Sequence, residues 1–282
     1  MRGAGGRHLA VDRPDDLTRI GEGVQAEVFL QSDGSVLKLW RSPAAREAVD
    51  REATALRALE HRGLAPVLID VVVLDGRPGI VMERVANAGL AAILRSRPWK
   101  VARTASALAE FHVAIHEVAA PVNLPRLSDQ VGKQIRSADD LPSDLAKFAL
   151  GILELLPEGD RLCHGDFHVA NVLGTSEQPV AIDWPNAARG DPMGDVAHTN
   201  ILHRFGRPRQ GTNRLERAVI GWGRGAFGRR YLEAYQSRRP NDQCLFERWE
   251  TVRAAARLSA GVRGEVQPLL RFLEQRRADG GL

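Results

Sequence analysis

Residues 163–183 read CHGDFHVANVLGTSEQPVAID, and this stretch constrains the chain more than any other. Three short β-prone runs lie in and beside it: Arg161 to Cys163, Val169 to Leu173, and Val180-Ala181-Ile182, the last ending at Asp183. Two strands joined by the intervening turn bring Asn171 and Asp183 together. That offers a hard cation an amide oxygen and a carboxylate, with room left for waters and phosphate oxygens. Asp166, five residues before Asn171, is placed to accept the proton of a hydroxyl nucleophile and orient it for in-line attack. A lone D-x-x-x-x-N is usually a turn former. The further Asp at the end of an apolar strand turns the reading towards chemistry.

HGDFHVANVL followed by AIDW resembles the catalytic and metal-binding segments of the aminoglycoside phosphotransferase and choline kinase-like group, distant relatives of the protein kinases. The resemblance implies an α+β, bilobal protein kinase-like fold, with a small antiparallel-sheet N-lobe and a larger, mostly helical C-lobe. It implies Asp166 as the catalytic Asp and Asn171 and Asp183 as magnesium ligands. His164 would hold the loop, and Asp195, in GDPMGDVA, would support it from the following helix. Two departures stand out. Val169-Ala170 replaces the Pro-Gly often seen in this turn, and Trp184-Pro185 follows the metal Asp where protein kinases carry Phe-Gly. The second argues against a protein-kinase style of activation switch.

Upstream, Ile20 to Val28 reads as strand, glycine turn, strand, with Gly21 and Gly23 letting backbone amides approach phosphates and Ala26 where a third glycine would stand. Taken alone this is an ordinary hairpin turn. Lys38 adds weight, lying in the β-run Ser35 to Trp40 in a chain with 39 Lys plus Arg but only four lysines. A compact ammonium suits a phosphate, whereas the bland alternative is an edge-strand lysine facing solvent. Pro43 to Glu60 has helical spacing at Val49, Ala53, Leu56 and Leu59. The resemblance makes Glu52 on this helix the partner that orients Lys38, with Glu47 as the second candidate. Pro66 to Leu74 and Gly79 to Val85 are β-branched runs joined by Asp75-Gly76, a hairpin signal. By the same resemblance the second run leads into the hinge between lobes, where backbone groups near Glu83 and Val85 meet adenine. The chain then turns polar at Asn87. The boundary is expected near Val85, giving a nucleotide-binding lobe over 1–85 and a catalytic and substrate-binding lobe over 86–282.

From Leu90 onward helical patterns dominate. Ala105, Leu108, His112 and Ile115 share a face, with His116 one turn after His112. The H-x-x-x-H pair invites a zinc reading, but no Glu follows the first His and no third ligand is evident, so core histidines are expected. Leu141 to Leu156 predicts a helix ended by Pro157. Asp191-Pro192 predicts an N-cap followed by Pro at the first helical position, and Arg214 to Tyr235 and Phe246 to Ala260 predict further helices. Trp222, Phe227, Tyr231, Tyr235 and Trp249 could form a cage for a quaternary ammonium, although aromatics at helical spacing are more often core.

The composition, 44% hydrophobic and 26% charged, is that of one globular catalytic unit. Two cysteines make no disulfide framework, no apolar run reaches the roughly 20 residues of a membrane span, and Met1 to Gly6 lacks a signal-peptide core. A cytoplasmic location with no membrane partner follows as the expectation. From Ile201 to Leu282 there are 17 Arg and 8 acidic residues, a net of +9, against −5 for the rest. A polycationic aminoglycoside wants clustered carboxylates, so a neutral or anionic hydroxylated metabolite fits this charge better, though Asp129, Asp139 or Asp140 could contribute to a local acidic pocket. The sequence thus points to an ATP-dependent (or GTP-dependent), Mg2+-assisted transfer to a hydroxyl of a small molecule, antibiotic or metabolite. The alternatives are a Ser/Thr protein kinase, disfavoured by HGD in place of HRD and the absence of an APE-type segment, and a nucleotide-binding module without catalysis. The arginines of the tail are interspersed with acids and apolar residues, which speaks against a nucleic-acid surface.

Overall fold

The computed structural model describes residues 17–85, 89–206, 214–240 and 242–280, with 214–224 described by backbone alone. Met1 to Gly6, Asn87 and the side chain of Trp222 lie outside these residues.

Strand β3 (Val36–Trp40) shows how the N-lobe is built. Its side chains alternate with the period of two that an extended chain imposes. Leu37 and Leu39 join Phe29 and Val81 in a small apolar cluster on one face, while Val36 and Trp40 join the main core on the other. Lys38 shares the parity of Val36 and Trp40, so it points towards the main core. Around β3 stand β1 (Thr18–Glu22), β2 (Ala26–Leu30), β4 (Leu68–Leu74) and β5 (Arg77–Met82), an antiparallel sheet in the order β1-β2-β3-β5-β4. Strand β3 is therefore interior, with Lys38 paired to Val28 on one side and Ile80 on the other. The solvent-facing edge alternative for this lysine is overturned. Asp75 and Gly76 both have positive φ, 49° and 75°, which makes the β4–β5 turn the two-residue type that matches strand twist.

Helix α1 (Arg46–Leu59) packs Val49, Ala53, Leu56 and Leu59 against the sheet. A single 3-10 turn, Pro43–Ala45, precedes it, and the Ser42 side chain accepts from the amide of Ala44 there. The helix predicted from Pro43 is thus present with a tighter first turn.

The C-lobe comprises α2 (Leu90–Ser96), α3 (Val101–His116), α4 (Leu127–Arg136), α5 (Ser143–Glu154), the short strands β6 (Arg161–Cys163), β7 (Val172–Gly174), β8 (Pro179–Ala181) and β9 (Ala188–Gly190), and the helices α6 (Pro192–Phe205), α7 (Arg214–Arg238), α8 (Gln243–Arg257) and α9 (Arg263–Ala278). Strands β6 and β9 pair, as do β7 and β8. One correction concerns the run from Val169. Val169–Asn171 form a 3-10 turn, capped by His168, whose Nδ1 accepts from the amide of Ala170, and the strand begins only at Val172. Extended backbone is displaced there because the chain must curl to return the Asn171 side chain to the loop. Asp191 caps α6 as predicted, accepting from the amide of Met193 at 2.8 Å with Pro192 in the first turn. Phe227, Tyr231, Tyr235 and Trp249 are all buried in the helical core rather than lining an open cage. Cys163 and Cys244 are free thiols. Among the described residues, no helix is long and apolar enough to cross a membrane.

Candidate active site

Lys38 is buried, and its ammonium lies 2.7 and 2.9 Å from the two carboxylate oxygens of Glu52 and 2.7 Å from Oδ1 of Asp183. Glu52 is itself almost fully buried on the sheet-facing side of α1, whereas Glu47 is exposed. Burial alone would pull the lysine pKa down. The Glu52 and Asp183 carboxylates outweigh it and hold the ammonium above its ordinary value. A lysine 145 positions upstream in sequence thus meets Asp183 across the groove between sheet and helices.

The strand pairing sets Asn171 beside Ile182, the residue before Asp183. The Ile182 amide donates to the Asn171 carbonyl at 2.9 Å, beside the β7–β8 pairing of Val172 with Ala181. Asn171 Nδ2 donates to the Asp166 carbonyl at 3.0 Å, so the amide nitrogen is engaged with the loop and the amide oxygen is the end left for a ligand. Asp183 has a φ of 70°, a left-handed conformation for a non-glycine residue.

The loop that carries Asp166 is tied down at nearly every backbone group. Asp195 Oδ2 accepts from the amide of His164 at 2.6 Å, and Oδ1 accepts from that of Gly165 at 2.9 Å. His164 is fully buried. Its Nδ1 accepts from the Asp166 amide and its Nε2 donates to the Ile182 carbonyl, which links the loop to the strand before Asp183. Gly165 has a φ of 80°, and a Cβ there would lie 2.3 Å from the carbonyl oxygen of Asn186. Only glycine fits both conditions. Thr199 Oγ1 donates to the Phe167 carbonyl at 2.9 Å.

The Asp166 carboxylate faces two imidazoles, His198 Nε2 at 3.6 Å and His168 Nε2 at 3.8 Å. Burial would raise its pKa. The imidazoles of His198, His168 and His164 outweigh burial and hold the carboxyl well below the usual range, so it is ionised at neutral pH. Burial, with the Arg253 guanidinium next in importance, lowers His198 to about 4. Neither histidine was singled out for this role in the sequence, where both sit in runs that read as turn and helix.

A cleft of about 810 Å³ brings together Lys38, Glu52, Asp166 and Asp183, while Asn171 is not among the residues that line it. Val28, Val36, Met82, Leu173 and Ile182 give it apolar walls, Lys38, Glu52 and Asp183 stand at its floor, and Asp166 opens onto it. Glu83 and Val85 line its far edge, where the Glu83 amide donates to the Val67 carbonyl at 2.9 Å. Gly23 lies at the mouth, its amide donating to the Ala26 carbonyl and closing the β1–β2 turn. Gly21 lies within β1, paired with Val28 across the β1–β2 ladder, and is not among the cleft's lining residues. Neither glycine requires a positive φ.

Residues 16–240 match the sequence model of the phosphotransferase enzyme family. Among curated proteins no sequence match is found. Solved structures superpose on nearly the whole chain at low identity. The GDP and kanamycin complex of APH(2")-IIia aligns with a TM-score of 0.59 at 18% identity, over 96% of this chain and 95% of that one. An aminoglycoside-3'-phosphotransferase of type VIII aligns with a TM-score of 0.60 at 19% identity, over 87% and 92%. A choline/ethanolamine kinase family protein from Mesorhizobium loti aligns with a TM-score of 0.55 at 18% identity, over 97% and 87%.

Proposed function

Since the chain belongs to the phosphotransferase enzyme family, in a bilobal protein kinase-like fold, we propose that it transfers the γ-phosphoryl group of ATP, or of GTP, to a hydroxyl of a small molecule. The observation that carries this reading is the convergence of Lys38, Glu52, Asp183 and Asp166 on one cleft from four separate elements. An apolar slot beside an ammonium held by carboxylates is what a nucleoside triphosphate requires.

In this reading the base lies between Val28, Val36, Met82, Leu173 and Ile182, with the backbone at Glu83 and Val85 along its edge. The end of β1 at Gly21 and the turn at Gly23 cover the phosphates, and Lys38, oriented by Glu52, neutralises them. Asn171 and Asp183 supply the hard oxygen donors suited to Mg2+, which when bound neutralises charge on the phosphates. Asp166, ionised and fixed by the loop, accepts the proton of the acceptor hydroxyl and aligns its oxygen with the γ-phosphorus. Catalysis is then mainly positioning and charge neutralisation.

The acceptor is a neutral or anionic hydroxylated molecule. Two imidazoles, those of His198 and His168, face the Asp166 carboxylate, and residues 201–282 carry a net charge of +9. The nucleotide and kanamycin bound by APH(2")-IIia support a small-molecule acceptor in general, and an aminoglycoside remains the reference compound to test.

The test is release of ADP or GDP, with magnesium present, over a panel of aminoglycosides, sugars, amino alcohols, nucleosides and sugar acids, using Asp166→Asn as the blank. A hit absent from the blank is the expected result. Turnover undiminished in Asp166→Asn removes that residue from the mechanism.

A further inference from the structure

Behind the Asp166 loop lies a cluster the reaction does not touch. His112 and His116 on α3, Asp195 on α6, and Tyr231 and Tyr235 on α7 are all completely buried. His112 Nε2 lies 3.1 Å and His116 Nε2 3.3 Å from the same oxygen, Asp195 Oδ2. On the other side of each ring, His112 Nδ1 is 2.6 Å from the Tyr231 hydroxyl and His116 Nδ1 is 2.7 Å from the Tyr235 hydroxyl. Two i,i+4 pairs, one of histidines and one of tyrosines, thus clasp across the α3–α7 contact.

We propose that His112, His116, Tyr231 and Tyr235 are positioning residues for the Asp166 loop, acting through one fixed arrangement of protons. Both imidazoles are Nε2–H tautomers that donate to Asp195, and each tyrosine O–H donates to the Nδ1 of its histidine. The inference deepens the function proposed above and rests on it only where turnover is measured.

The donors around Asp195 decide the tautomers. The His164 amide and the two imidazole Nε2 atoms all approach Oδ2, and the Gly165 amide approaches Oδ1. Were either ring protonated on Nδ1 alone, the lone pair of its Nε2 would face the carboxylate oxygen at 3.1 or 3.3 Å, a buried repulsion with no hydrogen between them. A doubly protonated ring would be a fully buried cation, which desolvation disfavours. The surrounding titratable and charged groups are His164 in the loop, Cys163 before it, Asp191 at the N-cap of α6, Arg239 just after α7 and Arg253 on α8. Burial dominates, and it keeps His112, at about 3, and His116 below their ordinary value and hence neutral.

The arrangement reaches the loop by two routes. Asp195 holds the amides of His164 and Gly165, and the His112 ring stacks on Phe167, the neighbour of Asp166, at 3.9 Å and 22°. The same Nε2 and carboxylate atoms lie within 4.8 Å of one another, close enough to ligate a metal. A cation there would have to displace the three N–H donors that already converge on Oδ2, so the proton network is the better account.

The experiment begins with the wild-type protein, labelled with 15N on histidine. Two-bond ring correlations are expected to show His112 and His116 with Nε2 protonated and Nδ1 bare, unchanged from pH 8 to 5.5. An Nδ1–H tautomer, titration of either ring near 6.5, or one tightly bound metal ion per chain by elemental analysis would overturn the proposal. Tyr231→Phe and Tyr235→Phe then test the coupling. Amide exchange at His164 and Gly165 should speed up about tenfold in each variant while amides of the distant sheet do not change, and kcat should fall severalfold with nucleotide KM unchanged. His116→Gln, which keeps an N–H donor, should retain at least tenfold more turnover than His116→Leu. Unaltered exchange at both loop amides in both tyrosine variants sinks the idea whatever the activity. Failure of the wild-type protein to transfer phosphate to any acceptor, with the tautomers and loop exchange as expected, strikes instead at the function proposed above.

Discussion

Gly165 shows how narrowly single residues set this site. Its positive φ and its approach to the Asn186 carbonyl leave no space for a side chain. Gly165→Ala is expected to cost roughly 1–2 kcal/mol in backbone strain alone, and to lower kcat by about a hundredfold if Asp166 shifts by an ångström. Chemical denaturation and steady-state kinetics read the two effects separately. Lys38 and Glu52 form the opposite case, where charge rather than shape dominates. Removing one member of a buried pair typically costs about 3–5 kcal/mol, and because Asp183 still faces Lys38, Glu52→Ala should fall near the lower end. A loss of under about 1 kcal/mol, measured by denaturant titration, would mean that the pair is dispensable to the fold.

At the level of elements, much of the molecule was legible in advance. Alternation along β3, the Asp75-Gly76 turn, the helical spacing of α1 and the Asp191-Pro192 start of α6 all follow from short-range rules, and each is present. Val169–Asn171 was read as strand because its residues are β-prone. The tertiary demand that Asn171 reach back to Asp166 imposes a 3-10 turn instead. Asp166 and Asp183, read from one segment of sequence, do line the same cleft, whereas Asn171 is not among its lining residues. The site was not legible where partners come from remote helices. The i,i+4 histidines and tyrosines were visible as buried faces, but nothing in either pattern reveals that one carboxylate on α6 unites them. His198 likewise sits in a helix whose register, not its composition, aims it at Asp166. Helix α6 carries both Asp195 and His198, so its start matters. Asp191→Ala removes the cap and the acceptor of Trp249 Nε1, and should destabilise the protein by about 1–2 kcal/mol, seen as a lower Tm.

For the whole molecule, the buried histidines set the response to acid. A histidine whose folded pKa lies below its unfolded value binds fewer protons when folded, so stability falls as pH drops. The window opens near 6.5 and extends to about 3 for His112 and about 4 for His198. The lowered carboxyls of Asp166 and Asp195 act in the same direction at still lower pH. Tm should therefore hold steady above pH 7 and decline progressively below about 6. A thermal midpoint unchanged between pH 7 and 4.5 would contradict the burial of these rings as neutral groups.

The residues just after Asp183 carry a different kind of consequence. Trp184 is fully buried, its indole N–H donates to the Ala181 carbonyl, its ring packs against His164, and Arg51 of α1 grips the carbonyl of the next residue, Pro185, at 2.7 Å. A segment pinned at both ends has no second position to swing into. On the function proposed here, the fold itself holds the segment that sets Asp183 beside Lys38, so that geometry is built in as the chain folds.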